Sequence, residues 1–241
     1  MIVRPDDAIH KSYLNRILIE ICDNPDLPSE LVFKGGTAAA MLGYLDRFSV
    51  DLDFDLVEGL PADKIKLNLN DIFASLDLDV VKEFDRAIMY EVKYQGEGGG
   101  RSRLKVSVNT VICHSSQVGK QYLKEIDRYL FCQTIETMFA HKLVAILDRY
   151  EKYRTIAGRD IYDIHHFYLN GYGYHEPVIT ERTGVEPKVF LAKLAEFVAK
   201  EVTQTVIDQD LNMLLPPDKF HQIRKVLLPE TLNWLNQEAR K

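Results

Sequence analysis

The chain has little cysteine, one tryptophan, no long hydrophobic run and a shortage of positive charge. Cys22, Cys113 and Cys132 are its only cysteines in 241 residues. They are odd in number, far apart and without CxxC or Cys/His spacing, which excludes a disulfide framework and a zinc module. Reduced thiols and a cytoplasmic location are the expectation. No apolar stretch approaches the roughly 20 residues a membrane helix needs, and no secretory leader is recognisable. Thirty Lys and Arg against 36 Asp and Glu give a formal net charge of −6. That excludes binding of nucleic acid through bulk electrostatics, although a local basic groove would suffice for RNA. Arg101, Arg103 and Lys105 alternate along one segment, and Lys152, Arg154 and Arg159 cluster further on. Both groups read equally well as solvated surface.

What is present is an ordinary globular composition, 46% apolar and 27% charged, in a chain long enough for one large domain or two small ones. Residues from about Asp7 to Cys22 suggest an amphipathic helix with Ile9, Tyr13, Ile17 and Ile21 on its apolar face. Pro25 and Pro28 end it. Glu30 to Phe33 reads as a short strand that feeds a glycine pair, and a helix starts at Thr37. Asp51 to Leu56 alternates acid and apolar residues, the period of a half-buried strand. A helix from Asp63 to Leu76, strands from Asp79 to Phe84 and Ile88 to Tyr94, and a connection at Gly96 to Gly100 follow. The next strand carries Leu104, Val106 and Val108 on one face and Arg103, Lys105, Ser107 and Asn109 on the other.

From about Gln117 onward the pattern reads as helical. Thr134 is placed to cap a helix running to Tyr150, without a capping box because Thr137 stands where an acid or amide would be needed. Further helices are expected over Arg159 to Leu169, Pro187 to Val202 and Pro217 to Asn236. The fold class is therefore α+β. A mixed sheet with flanking helices over 1–116 precedes a helical bundle over 117–241, which is expected to contribute to the active-site cleft.

The chemistry concentrates in Lys34-Gly35-Gly36-Thr37 and Arg47-Phe48-Ser49-Val50-Asp51-Leu52-Asp53-Phe54. Consecutive backbone N–H groups at a helix start attract phosphate oxygens. Carboxylates at i and i+2 of a strand face the same side, roughly 6.5–7 Å apart, and can hold a divalent ion against those phosphates. Asp55 continues the series but lies about 13 Å from Asp51, a poorer ligand position. Alone, such a pair is equally an acidic surface strand; after a strand, a glycine pair and a helix it points to nucleotide chemistry. His165 and His166 read as packed or ion-paired histidines rather than metal ligands. The aromatic series from Tyr150 to Tyr174 reads as core rather than as a base-stacking surface.

Phe33-Lys34-Gly35-Gly36-Thr37-Ala38, then Arg47 to Phe54, then a helix with Lys142, then Arg159-Asp160-Ile161-Tyr162-Asp163 resembles the AbiEii/AbiGii nucleotidyltransferase-like toxins of the polymerase-β-type superfamily. The resemblance runs from about residue 30 to 170. It implies a nucleotidyltransferase-like fold, NTP as substrate, two Mg²⁺ ions at Asp51 and Asp53, and an acceptor hydroxyl such as a tRNA 3′ end. It also implies a separately encoded antitoxin. Carried onto this sequence, Lys34, Gly35, Gly36 and Thr37 would lie at the nucleotide. Arg47 and Ser49 would contact phosphate or brace the loop. Lys142 would neutralise the triphosphate, and Asp160 and Asp163 would act in catalysis or architecture. One departure stands out: the strand that often bears a third carboxylate has Ser107 and Asn109 on the relevant face. Neutral side chains bind magnesium less strongly and cannot serve as a comparable base. Two other readings stay open, a small-molecule nucleotidyltransferase of the aminoglycoside-modifying kind and a nucleotide-binding module without turnover.

Overall fold

A computed structural model describes residues 5–57, 61–84, 87–95 and 102–241. The Gly96 to Gly100 connection and Arg101 lie outside the described residues. The chain divides into two compact units, one formed by 1–112 with 118–133 and the other by 113–117 with 134–241.

The first unit is built on a seven-stranded mixed sheet. Its strands are β1 (Leu31–Lys34), β2 (Asp51–Leu56), β3 (Asp79–Glu83), β4 (Ile88–Lys93), β5 (Arg103–Asn109), β6 (Val118–Leu123) and β7 (Arg128–Gln133). They lie in the order β3-β4-β5-β2-β1-β7-β6. The pairs β2/β5 and β1/β7 are parallel and the others antiparallel. One face is apolar: Phe33, Phe54, Val108 and Ile88 follow one another across four strands and are all buried. The period of two then sends Asp51, Asp53, Asp55, Lys105 and Ser107 to the opposite face.

Four helices accompany the sheet, α1 (Pro5–Asp23), α2 (Leu27–Glu30), α3 (Gly35–Met41) and α4 (Ala62–Ser75). The face of α1 that is buried keeps Ile17 and Ile21 of the expected one but not Ile9. His10, Leu14, Ile17, Leu18 and Ile21 are buried, whereas Ile9 is exposed. At 3.6 residues per turn, steps of four drift round the helix by about 120° between Ile9 and Ile21, so the two cannot share a face. Glu30 falls in α2, and the strand begins one residue later.

The stretch after Gln117 is not helical at first. It forms the β6–β7 hairpin, which pairs in register from Val118↔Gln133 to Leu123↔Arg128 and joins the sheet through Phe33↔Cys132. Alternation of Leu130 and Cys132, buried, with Tyr129 and Phe131, exposed, is a strand period. The exposed aromatics disguise it, because the usual apolar-in, polar-out contrast is missing.

The second unit holds α5 (Ile135–Tyr153), α6 (Gly158–Leu169), α7 (Glu176–Thr183), α8 (Pro187–Glu201), α9 (Gln204–Leu211), α10 (Pro217–Ile223) and α11 (Leu227–Glu238). Thr134 caps α5 as its position suggested, its side chain accepting from the Thr137 backbone N–H. The expected Pro217–Asn236 helix is two helices, broken after Ile223. Phe139 anchors the core, its ring 5.3 Å from both Phe167 and Trp234. The aromatic series thus packs mostly inward, although Tyr153 is exposed. Of the two histidines, buried His165 is held 2.6 Å from Glu230 and His166 stacks on Tyr162.

At Gly158, α6 meets α9 so closely that a Cβ would lie 2.7 Å from both Ile207 Cα and the Val206 carbonyl oxygen. Backbone cannot yield as a flexible side chain does. Gly158→Ala is expected to destabilise the chain by about 1–3 kcal/mol, the usual range for overpacking, read as a lower urea midpoint. An unchanged midpoint would mean that α6 and α9 separate freely.

Candidate active site

On the polar face of the sheet, β2 lies between β1 and β5, with Lys34 and Ser107 both opposite Asp53. The Ser107 hydroxyl donates to Asp53 Oδ1 at 2.5 Å. The other oxygen of that carboxylate lies over Gly35, 2.8 Å from where a Cβ would stand. Gly35 also has φ +78°, a region that costs other residues about 1–2 kcal/mol. Two separate constraints therefore require glycine there.

Gly36 is needed for a different contact. A Cβ would lie 2.9 Å from Ser49 Oγ and 3.0 Å from Arg47 Nη2. Arg47 is buried, and its Nη1 donates to the Phe48 carbonyl oxygen at 2.9 Å. Thr37 donates its hydroxyl to the Asp51 carbonyl oxygen and accepts from Ser49 Oγ. The glycine turn, the start of α3 and the approach to β2 are thereby tied together. His10 adds a brace that sequence reasoning missed: it is buried between the Tyr94 hydroxyl and the Val50 carbonyl oxygen, each at 2.8 Å. Nothing in its sequence surroundings marks it out, because the contact spans 40 residues.

Asp55 is engaged differently. Lys34 forms an ion pair with its Oδ1, Asn109 donates to the same oxygen at 3.3 Å, and Gln133 donates to Oδ2 at 2.8 Å. Four strands meet at this carboxylate, which is therefore occupied by structural partners. The ammonium of Lys34, a sequence candidate for nucleotide contact, points to Asp55.

The remaining candidates gather in the helical unit. Lys142 on α5 forms ion pairs with Asp160 at 2.8 Å and Asp163 at 2.9 Å, both on α6 and both buried. Arg149, two turns beyond Lys142, lies 3.3 Å from Asp160. Burial alone would raise the Asp160 carboxyl, but Lys142, Arg149 and Arg159 outweigh it and hold the group at about 2.

A family model, nucleotidyl transferase AbiEii toxin of type IV toxin–antitoxin systems, matches residues 16–238. The chain belongs to the AbiEii nucleotidyltransferase toxin family. Solved structures agree on the fold. JHP933 from Helicobacter pylori superposes with a TM-score of 0.56 at 18% identity, over 99% of this chain and 97% of its own. MenT4, a nucleotidyltransferase toxin from Mycobacterium tuberculosis, gives 0.57 at 18% identity, over 97% and 87%. No curated protein sequence is similar enough to count as a match. This AbiEii protein is thus a nucleotidyltransferase with the expected mixed sheet and flanking helices. Among the described residues no helix is long and apolar enough to cross a membrane.

The AbiEii site can be tested for its implied metal. Among the described residues no three His, Cys, Asp or Glu side chains gather for an ion. Mg²⁺ asks for less: one or two carboxylates, with substrate phosphates and waters completing an octahedron. Asp51 and Asp53, half-buried on one strand face, are a donor set of that kind.

The Asp160 carboxyl carries a pH prediction. Its folded pKa of about 2 lies below the ordinary 3.8. The resulting stabilisation, about 2 kcal/mol, is complete above the unfolded value and is lost as pH falls from about 4 towards 2. Urea midpoints of the chain and of Asp160→Asn should differ most near neutral pH and converge on acidification. A gap independent of pH would show that the carboxylate's charge is not what stabilises.

Proposed function

We propose that this AbiEii protein transfers a nucleotide from an NTP to an acceptor hydroxyl, that of a tRNA 3′ end, in a Mg²⁺-dependent reaction. The observation that carries the reading is the half-buried Asp51–Asp53 pair on the polar face of β2, with Asp53 close against Gly35 at the start of α3. In the reaction the acceptor oxygen bonds to the α-phosphorus, the bond to the bridging oxygen breaks, and pyrophosphate leaves. The acceptor hydroxyl gives up its proton. Two bound Mg²⁺ ions would lower the charge on the phosphates and favour an ionised acceptor oxygen.

The chain's own residues do the holding. Asp51 and Asp53 supply the metal ligands, and Ser107 fixes the rotamer of Asp53 through its hydrogen bond. Gly35 and Gly36 at the start of α3 would present their backbone N–H groups to phosphate oxygens. Thr37, Ser49 and Arg47 keep that turn in shape. Within the helical unit, Lys142 is held between Asp160 and Asp163. A separately encoded antitoxin is the expected regulatory partner.

A second reading has one observation in its favour. Ser107 faces Asp53 where an acid could have acted as base, which suits a nucleotide-binding module without turnover.

Both readings meet the same experiment. Purified protein is incubated with Mg²⁺, each α-labelled NTP in turn, total RNA and cell protein. Label should enter tRNA-sized RNA, and Asp53→Ala should lower the rate at least about a hundredfold, on the scale of losing a transition-state electrostatic contact. Label in protein would keep the chemistry and replace the acceptor. NTP binding without any transfer would leave the silent module.

A further inference from the structure

The β6–β7 hairpin presents a surface that the transfer chemistry does not use. Tyr122 is 46% exposed, Tyr129 59% and Phe131 43%. Tyr122 and Tyr129 are paired across the hairpin with ring centroids 5.1 Å apart, and Lys120 is paired with Phe131. The Lys120 ammonium lies 5.4 Å from the centre of the Tyr129 ring. Three aromatic rings and a lysine thus share one exposed face of two neighbouring strands.

That face is continuous with the candidate active site. Cys132 pairs with Phe33 on the apolar side, so Phe131 and Gln133 point to the polar side, and Gln133 reaches Asp55 of β2. The exposed rings and the Asp51–Asp53 pair therefore belong to the same surface of one sheet. Charge on the hairpin is also uneven. Glu125 is paired with Lys11 at 2.7 Å, Asp127 accepts from the Tyr122 hydroxyl at 2.6 Å, and Arg128 is paired with Asp23. Lys120 and Lys124 make no ion pair among the described residues. Glu125 is neutralised by Lys11 and Asp127 is turned to the Tyr122 hydroxyl, while Lys120 lies beside the rings.

We propose that Tyr122, Tyr129 and Phe131, with Lys120 and Lys124, bind the single-stranded end of the acceptor RNA. The inference rests on the RNA acceptor proposed above and supplies the surface that would hold it. Bases stack on exposed aromatic rings whatever their sequence, while lysines meet the phosphates. Tyr129 and Phe131, two residues apart on a strand, are separated by roughly 7 Å, enough for each ring to take its own base. A protein strand added at the β6 edge suits the surface less well. Lys120 stands on that edge, and an edge lysine discourages strand pairing. The net charge of −6 is no obstacle, because the groove needed is local.

The test is anisotropy of a short fluorescein-labelled single-stranded RNA ending in CCA, titrated with the full chain at low salt. The double substitution Tyr129→Ala, Phe131→Ala should weaken binding at least about tenfold, and Tyr129→Phe should bind as the parent does. Lys120→Glu should weaken binding and flatten its salt dependence. Circular dichroism confirms that each variant is folded. Equal affinity in the double alanine variant overturns the surface, as does absence of RNA binding by the parent chain. A dimer of the parent that becomes monomeric in the double variant, by sedimentation, assigns the rings to a second copy instead. Label transfer separates the two proposals. If RNA is still labelled at the parent rate without the rings, the acceptor stands and the surface falls. Label found only in protein removes the acceptor itself.

Discussion

The contact between the Asp53 carboxylate and the backbone of Gly35 governs the rest of the first unit's polar face. Any side chain at that position would occupy the space of the carboxylate oxygen. The left-handed backbone of Gly35 then turns the chain from β1 into α3. Because β1 and β2 pair antiparallel with Lys34 opposite Asp53, the turn and the acid are held at the same level of the sheet. Thr37, Ser49 and Arg47 close the arrangement from the other side. Gly35 is favoured by its left-handed backbone and by the Asp53 carboxylate, and Gly36 by the close approach of Ser49 and Arg47, before any ligand is considered.

Acid count and ligand count differ here for a physical reason. Asp55 belongs to the same alternating series as Asp51 and Asp53, yet it is surrounded by Lys34, Asn109 and Gln133. A buried carboxylate without partners would be costly, and those three side chains satisfy it. The same holds in the helical unit, where Asp160 and Asp163 are buried against Lys142 and Arg149. Removing either acid changes both the charge and the direction of the lysine. A loss of activity in such a variant would therefore not by itself make the acid a participant in the chemistry. Asp51 and Asp53 are half-buried on one strand face, and Asp53 is met by a neutral hydroxyl, that of Ser107.

Much of this was legible from local pattern. The acid–apolar alternation of β2 and the Thr134 cap depend on residues within a few positions of one another and appear as expected, while α3 begins two residues earlier than expected, with the glycine pair as its first residues. Contacts distant in sequence were not legible. His10 at Val50 and Gln133 at Asp55 join segments 40 and 78 residues apart, and no spacing rule announces them. The β6–β7 hairpin failed for another reason. Its outward positions carry Tyr and Phe, so the contrast that marks a half-buried strand was absent, and the helical pattern that follows was extended back over it. On α1 the helix is legible and only its facing is not, because steps of four drift round the helix and carry Ile9 off the face of Ile17 and Ile21.

Ser107 has a structural consequence whichever chemistry the site performs. Its hydroxyl lies 2.5 Å from Asp53. A carboxylate in its place would set two like charges in near contact, and such a pair cannot both ionise without a cation between them. A site with three acids therefore depends on its ion to hold shape. With serine the contact is attractive as it stands, since a hydroxyl donates to the carboxylate it faces. Asp53 is thus oriented by the chain itself, with Gly35 behind one oxygen and Ser107 on the other. The cost falls on chemistry, because a serine hydroxyl can accept a hydrogen bond from an incoming nucleophile but is far too weak a base to take its proton. The geometry favours a pre-set ligand at the expense of an additional base, and the proton of the acceptor must leave by another group or to water.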